Sequence, residues 1–171
     1  MSKQIAFEIC IQMLEQRGYS IVHKDKEELN IQALKPNDDK MIVIFNSLPK
    51  FDSKSMKEVI SIMSEYDVNH SLVIYEDDIT AATKNSLSQT NEMRVELFSE
   101  EDLQYNITKH RLQPQFERLS VEKGEEFKKE YGSKFGTLRA DKPISRFYDY
   151  EKGDVIKITR EGGYITYRIV R

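Results

Sequence analysis

The chain has 171 residues, enough for one large domain or two small ones. Its 29 acidic and 26 basic residues give a formal net charge of −3, so it lacks the basic surplus typical of a protein that binds nucleic acid by itself. A single cysteine, Cys10, excludes an intramolecular disulfide and a cysteine-rich zinc site, and it indicates a reducing compartment.

The first predicted element is an amphipathic helix. Apolar residues recur at helical spacing from Ile5 to Leu14, and Arg17 followed by Gly18 is typical of a last turn and its C-cap. Cys10 falls on the apolar side, which predicts a small buried side chain rather than a nucleophile, since no base accompanies it. This start differs from a signal-peptide core, and no apolar run approaches the length that crosses a bilayer.

Strands and helices alternate over the rest of the first half. A helix capped by Ser53 carries an apolar face that includes Met56 and Met63, and a second short helix, capped by Thr80, is predicted over residues 80–87. Turn-forming residues at 36–39 predict a hairpin. Short strands are predicted at residues 19–22, 31–34, 41–45, 71–75 and 95–98. The pattern indicates an α/β N-terminal domain around one small sheet.

A second domain is predicted where the apolar density falls, with domains at residues 1–103 and 104–171. It begins with a charged helix that Ser120 caps and Gly132 ends, and a short helix over 144–148 follows Asp141-Lys142-Pro143. Two strands, 155–158 and 164–170, flank a tight turn at 161–163. Alternation places Tyr164 and Arg168 on one face of the last strand, opposite Tyr167. The fold class predicted for this domain is small α+β.

One acidic run suggests a metal-dependent nuclease as an alternative function. Glu76, Asp77 and Asp78 follow a predicted strand, yet such an enzyme also needs convergent ligands and a positioned base or water. The three histidines share no ligand spacing, and the chain has no G-x-x-x-x-G-K-S/T loop, G-x-G-x-x-G or G-x-S-x-G motif. Solvated loop charges are therefore the expected interpretation, and neither a metal nor a cofactor is predicted.

Basic and aromatic residues are interleaved near the C-terminus. This pattern is typical both of nucleic-acid binding, through phosphate contacts and stacking, and of a protein interface, where Tyr and Arg are favoured. A charged sheet face is the third interpretation, and the pattern leaves all of them open. The residues are Arg139, Arg146, Phe147, Tyr148, Tyr150, Lys152, Lys157, Arg160, Tyr164, Tyr167, Arg168 and Arg171.

Ordered motifs in this region resemble a known family. Residues 141–148 (D-K-P-I-S-R-F-Y) are similar to a D-P-x-x-R-Y/F-Y/F segment, residues 152–160 to K-R-G-x-V-V-K-I-x-R, and residues 164–170 to a terminal Y-V/I-T-Y-R-L-V. These segments, with N-I-T-K-H-R-L-Q-P at 106–114, resemble the fifth-largest subunit of eukaryotic DNA-directed RNA polymerases and, at the C-terminal end, its smaller archaeal counterpart. Weaker similarity continues through the first half, which the archaeal protein lacks.

The resemblance implies a non-catalytic polymerase subunit. It implies an N-terminal jaw domain near downstream duplex DNA and a C-terminal assembly domain docked on the largest subunit beside other polymerase subunits. The magnesium site for RNA synthesis would belong to the largest subunit, and no membrane partner is implied. An adaptor of the same fold outside the polymerase is the second interpretation. The implied DNA-proximal residues are Thr80 and Lys84. The implied subunit-interface residues are Asp141, Pro143, Arg146, Phe147, Arg160, Tyr164, Thr166, Tyr167 and Arg168.

Some positions depart from the family pattern. Ala81 replaces a proline of the jaw segment, and the last hairpin is shortened to Glu161-Gly162-Gly163. Such divergence fits a cellular source and equally a large DNA virus that encodes its own polymerase. The expected localisation is the nucleus in the first case, and the virion and host cytoplasm in the second.

Overall fold

The computed structural model describes residues 2–46, 50–76, 78–80, 83, 93–132 and 134–171. The chain divides into two compact units, Met1–Tyr105 and Asn106–Arg171, called the N-terminal and C-terminal units below. The boundary proposed from the sequence, between 103 and 104, lies two residues from this division. Among the described helices, none combines the length and the apolar character that crossing a membrane requires.

The N-terminal unit consists of helices and strands that alternate after an initial antiparallel part. Its helices are α1 (Lys3–Gln16) and α2 (Ser53–Glu65), and a 3-10 turn lies at Glu101–Leu103. Its strands are β1 (Ser20–Asp25), β2 (Asn30–Leu34), β3 (Lys40–Phe45), β4 (Lys50–Phe51), β5 (His70–Tyr75), β6 (Asp78–Ile79) and β7 (Arg94–Ser99).

Five of these strands form a mixed sheet in the order β1-β2-β3-β5-β7. The pairs β1–β2 and β2–β3 are antiparallel, whereas β3–β5 and β5–β7 are parallel. Ile42 and Val73 pack with Met63 of α2 in one core cluster. Phe45, three residues from Ile42 and therefore on the opposite face, lies 6.2 Å from Phe7 of α1. Helices thus cover both faces, as the predicted α/β class requires.

The ends of α1 and α2 show how local sequence sets the fold. After α1, Gly18 adopts a φ of +87°, its N–H donates to the Glu15 carbonyl, and the Tyr19 N–H donates to the Leu14 carbonyl. This is the Schellman motif, which confirms the predicted C-cap. At α2 the predicted cap Ser53 is wrong by one residue. Asp52 Oδ1 accepts from the N–H groups of Lys54 (2.9 Å) and Ser55 (3.0 Å), so the preceding carboxylate caps the helix.

The C-terminal unit is a small α+β structure around a four-stranded sheet. The strand order is β8-β10-β11-β9, with β10 antiparallel to both β8 and β11, and β9 parallel to β11. Its elements are a 3-10 turn (Ile107–Lys109), β8 (Gln115–Arg118), α3 (Val121–Tyr131), β9 (Thr137–Leu138), α4 (Pro143–Phe147), β10 (Val155–Thr159), a 3-10 turn (Glu161–Gly163) and β11 (Ile165–Val170).

Different parts of the chain pack on the two faces of this sheet. Ile156, Ile158 and Val170 form a buried cluster with Tyr150 on one face. On the other face α3 packs against the sheet at Gly124, which is buried and where a Cβ would stand 3.6 Å from Val155, an ordinary contact distance. The helix is capped as predicted, since Ser120 Oγ accepts from the Lys123 N–H. The strands β8 and β9 were not predicted from the sequence.

Candidate subunit interface

The hairpin between β10 and β11 presents two of the predicted interface residues. Gly162 and Gly163 adopt φ values of +83° and +81°, which an L side chain rarely tolerates. The Arg160 N–H donates to the Tyr164 carbonyl at 2.8 Å and closes the loop. Arg160 is exposed and Tyr164 is 66% exposed. Over the described part of the chain, neither side chain has a hydrogen-bond or ion-pair partner, so both are available to another molecule.

The strand β11 holds three more predicted interface residues, and the fold itself uses two of them. Tyr167 packs against Phe127 of α3, with ring centroids 4.4 Å apart and ring planes tilted by 36°, which confirms the prediction that Tyr167 is partly structural. Arg168 Nη1 donates to the Thr137 carbonyl at 2.9 Å and so fixes β9 beside β11. Arg168 therefore has a role in the fold, and its contact with a partner stays a prediction. Thr166 is half-buried, and no described residue hydrogen-bonds to its Oγ1.

Asp141 lies before α4 and is bound within the chain. Arg139 Nε donates to Asp141 Oδ1 at 2.9 Å, and Arg139 Nη2 donates to the other carboxylate oxygen. The hydrogen bond from Arg139 lowers the pKa of Asp141 below its ordinary value. Asp141 does not cap the helix, because Lys142 occupies the N-cap position. The Arg139–Asp141 pair instead presents an exposed, nearly neutral patch.

The helix α4 divides its predicted interface residues between surface and core. Pro143 occupies the first turn, as predicted, and is exposed. Phe147 is 2% exposed and meets Tyr148 edge-to-face at 5.6 Å. The prediction that Phe147 contacts a partner is therefore corrected, because its buried ring supports the fold. Arg146, in the last turn, is half-buried.

Comparison with known proteins decides the family. Residues 105–170 match the family model described as RNA polymerase Rpb5, C-terminal domain. The chain is 35% identical to a protein provisionally named a DNA-directed RNA polymerase subunit in Invertebrate iridescent virus 6, over 97% of this chain and 98% of that protein. The chain belongs to the fifth-subunit family of DNA-directed RNA polymerases.

Two cellular members of the family match both units. The subunit rpabc1 of DNA-directed RNA polymerases I, II, and III from Dictyostelium discoideum is 30% identical, over 93% of this chain and 92% of its own length. The DNA-directed RNA polymerase subunit 5-like protein 1 of Arabidopsis thaliana is 29% identical, over 92% of this chain and 90% of its own. The resemblance stated from the C-terminal motifs is confirmed.

The predicted DNA-proximal segment of this fifth-subunit chain is described only at its start. Thr80 Oγ1 accepts from the Thr83 N–H at 3.3 Å, the contact expected of a helix N-cap. The two hydroxyl oxygens are 2.7 Å apart. Lys84 and the rest of the helix predicted over 80–87 lie outside the described residues.

The acidic run and the cysteine have ordinary structural roles where they are described. Glu76 forms an ion pair with Lys3 at 3.3 Å, and Asp78 lies in the short strand β6, while Asp77 is outside the described residues. Cys10 is fully buried, and burial raises the pKa of its thiol. The prediction of a buried small side chain is confirmed. A protonated, inaccessible thiol is unsuited to nucleophilic attack.

A buried ionic network in the N-terminal unit was missed by the sequence analysis. Arg17 binds Glu96 through two hydrogen bonds of 2.9 and 3.0 Å, and His70 Nε2 lies 2.7 Å from Glu96 Oε1. The Tyr19 hydroxyl, 3.5 Å from His70 Nδ1, donates to Asp39 at 2.6 Å. These contacts join the end of α1 to β5, β7 and the β2–β3 turn.

Glu96 is the centre of this network. Burial alone raises the pKa of Glu96, but the hydrogen bond from His70 and the charge and hydrogen bonds of Arg17 outweigh it and lower the pKa to about 2. Glu96 is therefore ionised over the whole physiological range. The Arg17 side chain is 1% exposed, so this carboxylate compensates a buried positive charge.

Proposed function

We propose that the chain is a structural, non-catalytic subunit of a DNA-directed RNA polymerase. The observation that carries the proposal is its 35% identity, over 98% of the relative, to a protein named as such a subunit. RNA synthesis then occurs on the largest subunit, and this chain needs neither a metal nor a cofactor of its own. The nuclease alternative loses support because Glu76 is paired with Lys3.

The C-terminal unit anchors the chain to the largest subunit in this proposal. Exposed Arg160 and Tyr164 are the contact residues with the strongest support, because both belong to residue types that dominate interface energies. Pro143 and Arg146 contribute from α4. Phe147, Tyr167 and Arg168 support this surface, Thr166 lies within it, and Asp141 fixes Arg139 beside it.

The N-terminal unit serves as a jaw near downstream DNA. Thr80 begins the segment that would approach a phosphate, and Lys84 would add a positive charge one turn later. Nearby carboxylates such as Glu76 and Asp78 oppose tight binding, so the contact is weak and matters only within the assembled enzyme. A cellular source would place the subunit in the nucleus, and a viral source in the virion and host cytoplasm. The viral relative at 35% identity favours the viral source.

Co-purification tests the central proposal. The tagged full chain should carry with it the two largest polymerase subunits in near-equal amounts. Recovery of a regulator without those subunits would support the adaptor function instead.

An interface variant tests the anchoring surface. Exchanging both Arg160 and Tyr164 for Ala should weaken incorporation at least about tenfold, because two exposed anchors are lost while the hairpin glycines remain. Lys123→Ala, on exposed α3, is the matched control and should incorporate normally. Normal incorporation of the double variant would contradict the assigned surface.

A charge reversal tests the jaw. Lys84→Glu should leave assembly intact but shorten the lifetime of elongation complexes, most strongly at low salt, because one phosphate contact is replaced by a repulsion that added salt screens. Equal lifetimes for variant and natural chain at every salt concentration would remove this segment from the path of the DNA.

A further inference from the structure

The strand β8 leaves one edge of the C-terminal sheet open. Among the described strands it pairs only with β10. The Leu119 N–H donates to the Val155 carbonyl at 3.0 Å, which fixes the alternation of the antiparallel ladder. Residues 115, 117 and 119 therefore direct their backbone groups toward β10, whereas Phe116 and Arg118 direct theirs outward. No described residue hydrogen-bonds to those two outward N–H groups.

The edge strand β8 is only four residues long, but it contains neither a register shift nor a proline that would block strand pairing. Bulges and long charged side chains commonly block such edges. The edge strand of the N-terminal sheet, β1, has a register shift between Ile21 and His23. The pairing of β8 with β10 is regular. The Arg118 side chain does not cover its own backbone, because Nη1 is held by Asp154 at 3.1 Å and by the Asp149 carbonyl at 3.4 Å.

A cationic groove adjoins the start of β8. Its volume is about 550 Å³, and it is lined by residues 111–115 and 159–161. Arg111 and Arg160 are both exposed, and neither guanidinium has an ion-pair or hydrogen-bond partner over the described part of the chain. Glu161 is the one carboxylate among these lining residues, so their net charge is positive. Leu112, also in the lining, is 72% exposed.

We propose that an extended acidic segment of another polymerase subunit adds as a strand to β8 and places a carboxylate between Arg111 and Arg160. This inference rests on the proposed function, and it specifies how the partner is held. The outward N–H and C=O groups of Phe116 and Arg118 require a ligand with alternating acceptors and donors, which a polypeptide backbone supplies. The sugar-phosphate backbone of DNA supplies acceptors alone. The two free guanidiniums add selectivity for an acidic side chain.

Amide hydrogen exchange tests the strand addition directly. Exchange is measured on the free full chain and on the same chain within the purified polymerase, with fragmentation that resolves single residues. The N–H groups of Phe116 and Arg118 should exchange rapidly in the free chain and at least about a hundredfold more slowly in the polymerase. The N–H groups of Glu117 and Leu119, which face β10, are internal controls and should be protected in both.

The outcomes separate this inference from the proposed function. If the chain co-purifies with the polymerase but Phe116 and Arg118 stay unprotected, strand addition is wrong while the proposed function stands. If the chain does not co-purify, the proposed function itself fails. If a short DNA duplex alone slowed amide exchange at Phe116 and Arg118 of the free chain, the inference would also be wrong, because the surface would then bind nucleic acid.

A proline substitution gives a second, independent measurement. Arg118→Pro and Arg118→Ala both remove the guanidinium, but only proline removes the outward N–H. The proline variant should incorporate at least about tenfold less well than the alanine variant, with circular dichroism confirming that both are folded. Equal incorporation of two folded variants would contradict strand addition, and the exchange measurement decides the matter if the proline variant does not fold.

Discussion

Replacing Glu96 with Gln isolates the charge at the centre of the buried network. The amide keeps the shape of the carboxylate but removes the negative charge that the Arg17 guanidinium, whose side chain is 1% exposed, binds through two hydrogen bonds. His70, 2.7 Å from the same carboxylate, also loses a charged acceptor. Because a buried guanidinium then loses a charged partner, the free energy of unfolding of the N-terminal unit should fall.

The size of the effect follows from the pKa of Glu96. This pKa falls from an ordinary value of 4.5 to about 2 on folding. A shift of that size corresponds to about 3 kcal/mol of folding stability, at 1.36 kcal/mol per pH unit. Because the pKa is lowered in the folded state, this stability is fully present above pH 4.5 and is lost as the pH falls toward 2. The natural chain and Glu96→Gln should therefore differ by about 3 kcal/mol at pH 7 and converge in acid.

Urea unfolding of the full chain, followed by circular dichroism from pH 7 down to pH 2.5, measures this difference. Glu58→Gln is the control, because that carboxylate is exposed on α2 and its loss should change the unfolding free energy by less than about 0.5 kcal/mol. A constant difference between natural chain and Glu96→Gln at every pH, or a loss below about 1 kcal/mol at pH 7, would refute the reasoning.

Three smaller changes test local features by urea unfolding. Asp52→Ala should lower the free energy of unfolding by about 1 kcal/mol because the cap of α2 is lost, whereas Ser53→Ala should leave it nearly unchanged. A larger loss for Ser53→Ala than for Asp52→Ala would show that Ser53 is the cap. Gly124→Ala should raise the free energy of unfolding by about 0.5–1 kcal/mol, because the new Cβ meets Val155 at an ordinary 3.6 Å and alanine favours the helix. A lower free energy of unfolding would mean that the methyl group does not fit between α3 and the sheet. Gly163→Ala should lower the free energy of unfolding by about 1 kcal/mol, because alanine is strained at a φ of +81°. An unchanged midpoint of urea unfolding would contradict this.

Local patterns predicted much of the fold. The helical spacing before Arg17, the glycine after it and the turn residues at 161–163 each fix backbone geometry within a few residues, and the structure confirms all three. The strand β8 escaped prediction because its four residues, Q-F-E-R, contain one apolar side chain. Its conformation depends on pairing with β10, about 40 residues later, which no short window of sequence contains.

The roles of the charged and aromatic residues were less predictable. Arg17, His70 and Glu96 are far apart in sequence, so no spacing rule brings them together; only the order of β5 and β7 in the sheet does. Phe147 and Arg168 belong to the family motifs, but a motif does not reveal whether a residue contacts a partner or supports the fold. Burial of Phe147 makes that distinction, whereas the bond from Arg168 to Thr137 shows a role in the fold and leaves a partner contact possible.

The position of β11 in its sheet has a consequence for biosynthesis. This strand lies between β10 and β9, so Thr137 of β9 has no strand partner until Ile169 of β11 has been synthesised. A ribosome must therefore have released residues up to 170 before the C-terminal sheet can close, while the N-terminal unit, complete by residue 105, is free to fold earlier. During that interval the unpaired strands need protection from aggregation, so a nascent chain stalled before β11 would be a substrate for chaperones rather than for polymerase assembly.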